Sequence, residues 1–228
     1  NNLLNTKTAT IKKFNLDSIR NLPSVPIVVL EVSKMLDNPS TNATELGRVI
    51  STDQGMLAKI LTVANSPLYG LSRRVSTIDF AIVVLGFDHL KHIVIALSMM
   101  DAFKESFDPT WNKKAYWFHS LTTASAAKRI ADELGYRKTG EVFTAALLHD
   151  LGISVIQRYM NDDYKIICES VKQNGCTYLE AEKEIIGVTH QEIGGYLAER
   201  WNLPSVLGDA IANHHQPSLS KENKTLGK

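Results

Sequence analysis

Leu147-Leu148-His149-Asp150-Leu151-Gly152, residues 147–152, ends an apolar helical turn in a histidine–aspartate dyad and follows it at once with leucine and glycine. A glycine just past the last apolar turn reads as a helix stop, and backbone leaving a helix there can turn both dyad side chains inward. Further histidines lie along the chain in an order that could build one centre with the dyad: His119 before it, His190 after it, then the pair His214-His215. A metal that activates water needs neutral imidazoles and carboxylate held by separate elements, with one coordination position left open. Any one histidine is more often a hydrogen-bonded helix or surface residue, and neighbours such as His214-His215 point about 100° apart on a helix. The position of the dyad is what favours a centre.

The surrounding sequence is patterned for helices. Apolar residues recur at helical spacing, and the period-two alternation of half-buried strands is missing. Asn42 with Glu45, Ser76 with Asp79, Thr177 with Glu180 and Thr189 with Glu192 each set a capping side chain three residues before a carboxylate, which satisfies orphan amides at a helix start. Gly70, Gly135, Gly175 and Gly187 punctuate the pattern, giving short connections and antiparallel neighbours. The expectation is an all-α chain. Its first half carries helices near 27–37, 43–51, 54–65 and 76–103, the first with Ile27, Leu30, Val32 and Leu36 on one face. Its second half carries helices near 113–134, 140–150, 161–173, 178–186, 189–200 and 205–215, after a hinge at Asp108-Pro109.

Composition narrows the function classes. With 228 residues and 44% hydrophobic content, the chain can bury a core without disulfides or structural metal, as one large domain or two closely packed halves. A net charge of +1, from 25 basic and 24 acidic residues, leaves no electrostatic footprint for nucleic acid or anionic lipid. Cys168 and Cys176 lack the two-residue spacing of a redox or zinc pair and read as reduced thiols in the cytoplasm. No secretory signal pattern precedes residue 20. Ile78 to Met100 is apolar enough to suggest a membrane span until Asp88, His89, Lys91 and His92 appear at its middle. Charges there would cost roughly 3 kcal/mol each at a bilayer centre, so the stretch reads as a buried helix pair. The expected setting is the cytoplasm, without membrane or nucleic-acid partners.

Several motifs then line up in a fixed order: Leu22-Pro23-Ser24-Val25-Pro26, Asn65-Ser66-Pro67-Leu68-Tyr69-Gly70, Ser76 to Ile82 with Leu85-Gly86, Phe118-His119-Ser120, the dyad segment, Gly187-Val188-Thr189-His190, Trp201-Asn202-Leu203-Pro204 and His214-His215. Together they resemble the HDOD domain, the HD-related output domain of bacterial signalling proteins. The resemblance covers residues 14–216 as a single module, with an N-terminal helical half at 14–109 and an HD-like half at 110–216. It implies an HD-like multi-helix bundle with an N-terminal helical subdomain, related to metal-dependent phosphohydrolases and to the HD-GYP phosphodiesterases that cleave cyclic di-GMP. It also implies His119, His149, Asp150, His190, His214 and His215 as ligands of a divalent metal, Fe, Mn, Zn or Ni. Asp150 would bridge two metals or hold an activated water, and would be the catalytic carboxylate of an enzyme.

The departures from that pattern matter as much. HD-GYP enzymes usually carry a lysine shortly after the dyad glycine, whereas Ile153 stands here and the next cation is Arg158. Their Gly-Tyr-Pro signature is missing too, since His214-His215 runs into Gln216-Pro217-Ser218, and Asp209 is only a weak match for a late aspartate. Two functions stay open. One is a signalling output module that acts through protein contacts with little or no catalysis. The other is a metal-dependent phosphohydrolase or phosphodiesterase acting on a nucleotide. Ser154 reads as a helix-surface serine, Trp117 and Trp201 as core or seam aromatics. The loop from Asn65 to Arg74, with Tyr69 and the Arg73-Arg74 pair, is the expected partner contact.

Overall fold

The structure, a computed structural model, describes residues 31, 34, 35, 38, 40–102 and 111–221, and its regular elements there are all helical. Side-chain caps set most of the helix starts. Asn42 opens α1 (Ala43–Ser51) by accepting the Glu45 amide at 2.9 Å, and Asp53 opens α2 (Gln54–Ala64) through the Met56 amide at 3.0 Å. Thr77, not Ser76, caps α3 (Ile78–Leu85), taking the Phe80 amide at 3.4 Å, so that start lies one residue later than expected. Gly86, at φ 77° and ψ 157°, ends α3 in a conformation open only to glycine. The chain then continues as α4 (Phe87–Ala102). The stretch from Ile78 is therefore a helix pair, with Ala81, Ile82, Leu85, Leu90, Ile93, Val94 and Leu97 in the core.

The second half runs α5 (Lys113–Glu133), α6 (Thr139–Leu148), α7 (Leu151–Tyr159), α8 (Asn161–Asn174), α9 (Tyr178–Ile185), α10 (His190–Arg200) and α11 (Ser205–Asn213). Thr177 and Thr189 form complete capping boxes with Glu180 and Glu192. Helix α7 was not expected, because Gly152 reads as a helix stop; it instead lies in the first turn of α7. Its missing Cβ is the reason for glycine, since an ideal Cβ there would overlap the His190 carbonyl oxygen. The backbone break falls two residues earlier, at Asp150, with φ −95° and ψ 13°.

Helix α6 is the hub. It lies against α5 and α11 and also against α4 of the first half, while α10 packs on α7 and α11, and α8 on α7 and α9. One apolar cluster runs from Leu46 and Ile60 through Leu97, Phe143 and Leu148 to Ile193 and Leu197. Each such buried side chain contributes roughly 1.5–3 kcal/mol, so a shared core holds the two halves together.

Several expectations change in the packed chain. Ser154 is buried at 7% exposure, because α7 turns it inward. Tyr69 is not a solvated turn residue: it packs against the core and its hydroxyl bonds His89 Nε2 at 2.6 Å. Asn65 anchors the same loop from inside, with its side chain bonded to the Val75 amide at 2.7 Å and the Val75 carbonyl at 2.8 Å. Trp117 and Trp201 are half-buried against the core, and both cysteines are free thiols. The helix expected at 27–37 lies outside the described residues apart from Glu31, Lys34 and Met35, which are helical. The segment 14–30 and the hinge Asp108-Pro109 also lie outside them.

Candidate metal centre

The dyad sits at the junction of α6 and α7, where His149 ends one helix and Asp150 precedes the next. His119 comes from the second turn of α5, His190 from the first position of α10, and His214 from the C-cap of α11, with His215 one step beyond. Three glycines let these elements close up. Gly152 seats α7 on the His190 backbone, and Cβ atoms at Gly194 and Gly195 would lie 2.7 Å from Ile211 Cγ2 and Ala212 Cβ, so α11 packs tightly on α10. His214 and His215 do not point apart, because the helix ends at Asn213; their ring centroids are 4.3 Å from each other.

Asp150 is the centre of the cluster, and its two oxygens serve different partners. Oδ2 lies 3.0 Å from His149 Nε2 and 3.5 Å from His119 Nε2, while Oδ1 lies 3.5 Å from His190 Nε2 and 3.7 Å from His214 Nε2. His190 Nε2 is in turn 3.3 Å from His214 Nε2 and 3.0 Å from His215 Nε2. Two sets of potential ligands result, His119-His149-Asp150 and Asp150-His190-His214-His215, with the aspartate common to both.

The chemistry of the donors fits a cation. His149 Nδ1 donates to the Ala146 carbonyl at 2.8 Å, and His214 Nδ1 to the Ile211 carbonyl at 2.7 Å. His190 Nδ1 donates to both oxygens of Glu182, at 2.8 and 2.9 Å. Each neutral ring therefore carries its proton on Nδ1 and presents a bare Nε2 lone pair to the centre. Lone pairs facing a carboxylate and one another at 3.0–3.7 Å repel. A divalent cation, or added protons, turns that repulsion into attraction. With those rings protonated, burial still pushes the Asp150 carboxyl up, but hydrogen bonds from His149 and His214 and the charge of His190 outweigh it and hold the group well below the usual carboxylate range. Burial lowers His149, yet its contact with Asp150 leaves it raised overall. His215 is lowered to about 4 by burial and by the charges of His214 and His190.

Two further features were not foreseen. Glu182, 2% exposed, fixes His190 by also accepting its backbone amide at 2.8 Å. Its place beside buried Ala181 and four residues before buried Ile186, the C-cap of α9, was the available signal. Asp209 stays away from the centre; it accepts from Ser220 Oγ at 2.5 Å and Asn213 Nδ2 at 3.0 Å, tying α11 to the following turn. A groove of about 1000 Å3 opens beside the cluster, reaching His119, Asp150, His190 and His215. Ile153 lines it near the dyad, and Lys165 and Lys172 line it from α8 together with Tyr164 and Trp111.

An all-helical bundle in which a helix-junction dyad meets histidines from three other helices is a domain of the HD type. The chain belongs to the HDOD domain family, whose sequence pattern matches residues 22–217. It is 32% identical to an HDOD domain protein of unknown function from Geobacter sulfurreducens, with a TM-score of 0.76 over 90% of this chain and 68% of that one. The fold is shared with a candidate phosphohydrolase from Shewanella amazonensis, at 24% identity and a TM-score of 0.72 over 93% of this chain and 74% of that one. A curated relative, an uncharacterized protein from Treponema pallidum, is 24% identical over 225 residues, 98% of this chain and 43% of the relative. The chain thus spans less than half the length of that relative.

Proposed function

We propose that this domain is a cytoplasmic signalling module that holds divalent metal at the Asp150 centre and acts by contact with a protein partner, with little or no turnover of its own. The ligands are His119, His149 and Asp150 on one side and Asp150, His190, His214 and His215 on the other, and Fe, Mn, Zn or Ni suits them. Bound there, such a cation would supply Lewis-acid charge to an oxygen in the groove. The observation that carries the low-turnover reading is Ile153, an apolar side chain lining the groove next to the dyad. Phosphoryl chemistry needs donors on the phosphate oxygens, each worth roughly 3–4 kcal/mol in rate, and Ile153 offers none. The exposed Arg73 and Arg74 of the 65–74 loop are the proposed partner contact, on a loop held rigid by Asn65. Neither nucleic acid nor membrane is a partner in this reading.

The test combines metal analysis with an activity assay. Protein purified without chelator should contain divalent metal, and with added manganese or ferrous iron it should turn over cyclic di-GMP no faster than the metal alone. A specific observation favours a second reading, a nucleotide phosphodiesterase: Lys165 and Lys172 face the same groove and provide the cations missing after Gly152. Product formation that disappears in Asp150→Ala and falls in Lys172→Gln would establish that second reading in place of the first.

A further inference from the structure

We propose that the 65–74 loop and the outward face of α3 form one docking surface for an amphipathic, acidic segment of a partner protein. The inference rests on the reading of that loop as the partner contact and names the chemistry the partner must carry.

A hollow of about 440 Å3 in the loop is lined by Pro67, Gly70 and Leu71 together with Arg73 and Arg74. Both arginines are exposed, and among the described residues no acid lines the hollow and neither guanidinium has an ion-pair partner. The neighbouring carboxylates are already committed. Asp132 of α5, whose charge reaches Tyr69, pairs with Lys128 Nζ at 2.7 Å, and Asp79, the next acid along the chain, turns its Oδ1 towards Gly47 of α1. Two positive charges are left for an anion from outside the chain.

An apolar surface follows directly. Leu71 is 41% exposed, and soon after Arg74 the chain enters α3, in which Asp79 is the one polar side chain. A helix apolar on every side is normally covered on every side. Here Ala81, Ile82 and Leu85 face the core, whereas Phe80 and Val83, at 44% and 73% exposure and three residues apart, share the outer face. A partner that covers them removes that surface from water.

The surface is also held in shape. Asn65 bonds the Val75 amide and carbonyl, Tyr69 is tied to His89, and Val75, 1% exposed, anchors the chain between Arg74 and α3. A preformed surface loses little freedom on binding. Its chemistry selects the occupant. A second copy meeting through the same patch would set arginine against arginine across the two-fold axis. A free inorganic anion would leave Leu71, Phe80 and Val83 uncovered. A segment with carboxylates beside an apolar stripe satisfies both parts.

Nitrogen-15 NMR of the full chain, titrated with a synthetic helical peptide of leucine and glutamate patterned to one apolar face, should shift the Leu71, Arg73, Arg74, Phe80 and Val83 amides together. Arg73→Gln with Arg74→Gln, and separately Val83→Glu, change exposed side chains and should each weaken binding roughly tenfold or more, with an unchanged helical circular dichroism spectrum. Arg200→Gln, which removes a positive charge from α10, should leave the affinity unaltered. The proposal is overturned if those amides do not shift at millimolar peptide, if polyglutamate or the lysine-for-glutamate peptide binds as tightly, or if the chain sediments as a dimer that Val83→Glu abolishes. Each of these outcomes would leave the metal centre and its low turnover standing. Product formation lost in Asp150→Ala would instead remove the reading on which the inference rests.

Discussion

Glu182 grips His190 at two points, its carboxylate accepting the backbone amide at 2.8 Å and the ring Nδ1 at 2.8 and 2.9 Å, and both residues are 2% exposed. One buried carboxylate thus fixes the start of α10, the ring orientation and the tautomer that points Nε2 at Asp150. Carboxylates behind histidine ligands typically account for tenfold to hundredfold in metal affinity. Glu182→Gln should weaken metal binding by that factor in a chelator competition, with the helical content kept. Affinity equal to the parent would remove Glu182 from the centre. Glu182→Ala should additionally lower stability by about 1–3 kcal/mol, because His190 Nδ1 loses its buried acceptor.

Gly152 seats α7 on the His190 carbonyl with no room for a methyl group. Gly152→Ala must push α7 and α10 apart, and overpacking of this kind costs about 1–3 kcal/mol or more. The variant should unfold at least 2–4 °C lower, the shift expected per kcal/mol in a chain of this size. It should also bind metal less well, since the displacement separates the dyad from His190. An unchanged melting temperature would show that the contact relaxes without cost.

How much of this was legible in the sequence differs by element. The capping boxes at Thr177 and Thr189 are local, made within four residues, and they occur as read. Gly152 was misread because a glycine after an apolar turn has two physical uses, ending a helix or admitting another backbone. Only the position of His190 in space separates them. The order of the histidines pointed to one centre, and the chain does bring His119, His149, Asp150, His190, His214 and His215 together. Their tautomers were not legible, since they depend on carbonyls and on Glu182 reached through tertiary packing. The neighbouring lysines of α8 were missed for a related reason: Lys165 and Lys172 are remote in sequence from Gly152 and meet the groove only through the packing of α8 on α7.

The two ligand sets share Asp150 but not His119, whose side chain is 58% exposed at the groove edge. His119→Ala should therefore reduce the metal bound to the His119-His149 set and leave the His190-His214-His215 set loaded. Asp150→Ala should reduce both, with the fold still helical. Mass spectrometry of native protein with counted metal ions distinguishes the two variants. Equal losses in both would mean a single shared cation instead of two positions.

Burial lowers His89 to about 3, with the charge of Lys128 adding to the shift, so the folded chain keeps this ring neutral well below its usual titration range. In the unfolded chain the same imidazole titrates near 6.5. Between these values an unfolded His89 takes up a proton that the folded one refuses, so the stabilisation present above pH 6.5 is lost as the pH falls. At roughly 1.4 kcal/mol per unit, the loss amounts to about 2–3 kcal/mol by pH 4.5. Urea titrations at pH 7.5, 5.5 and 4.5 should show this decline in the parent. His89→Gln can still accept the Tyr69 hydroxyl and carries no titrating ring, so its decline should be shallower by that amount. The difference between the two chains isolates His89 from the histidines of the centre, which titrate in both. Parallel profiles would mean that the His89 ring reaches solvent when it is charged, and that the contact between α4 and α6 opens in acid.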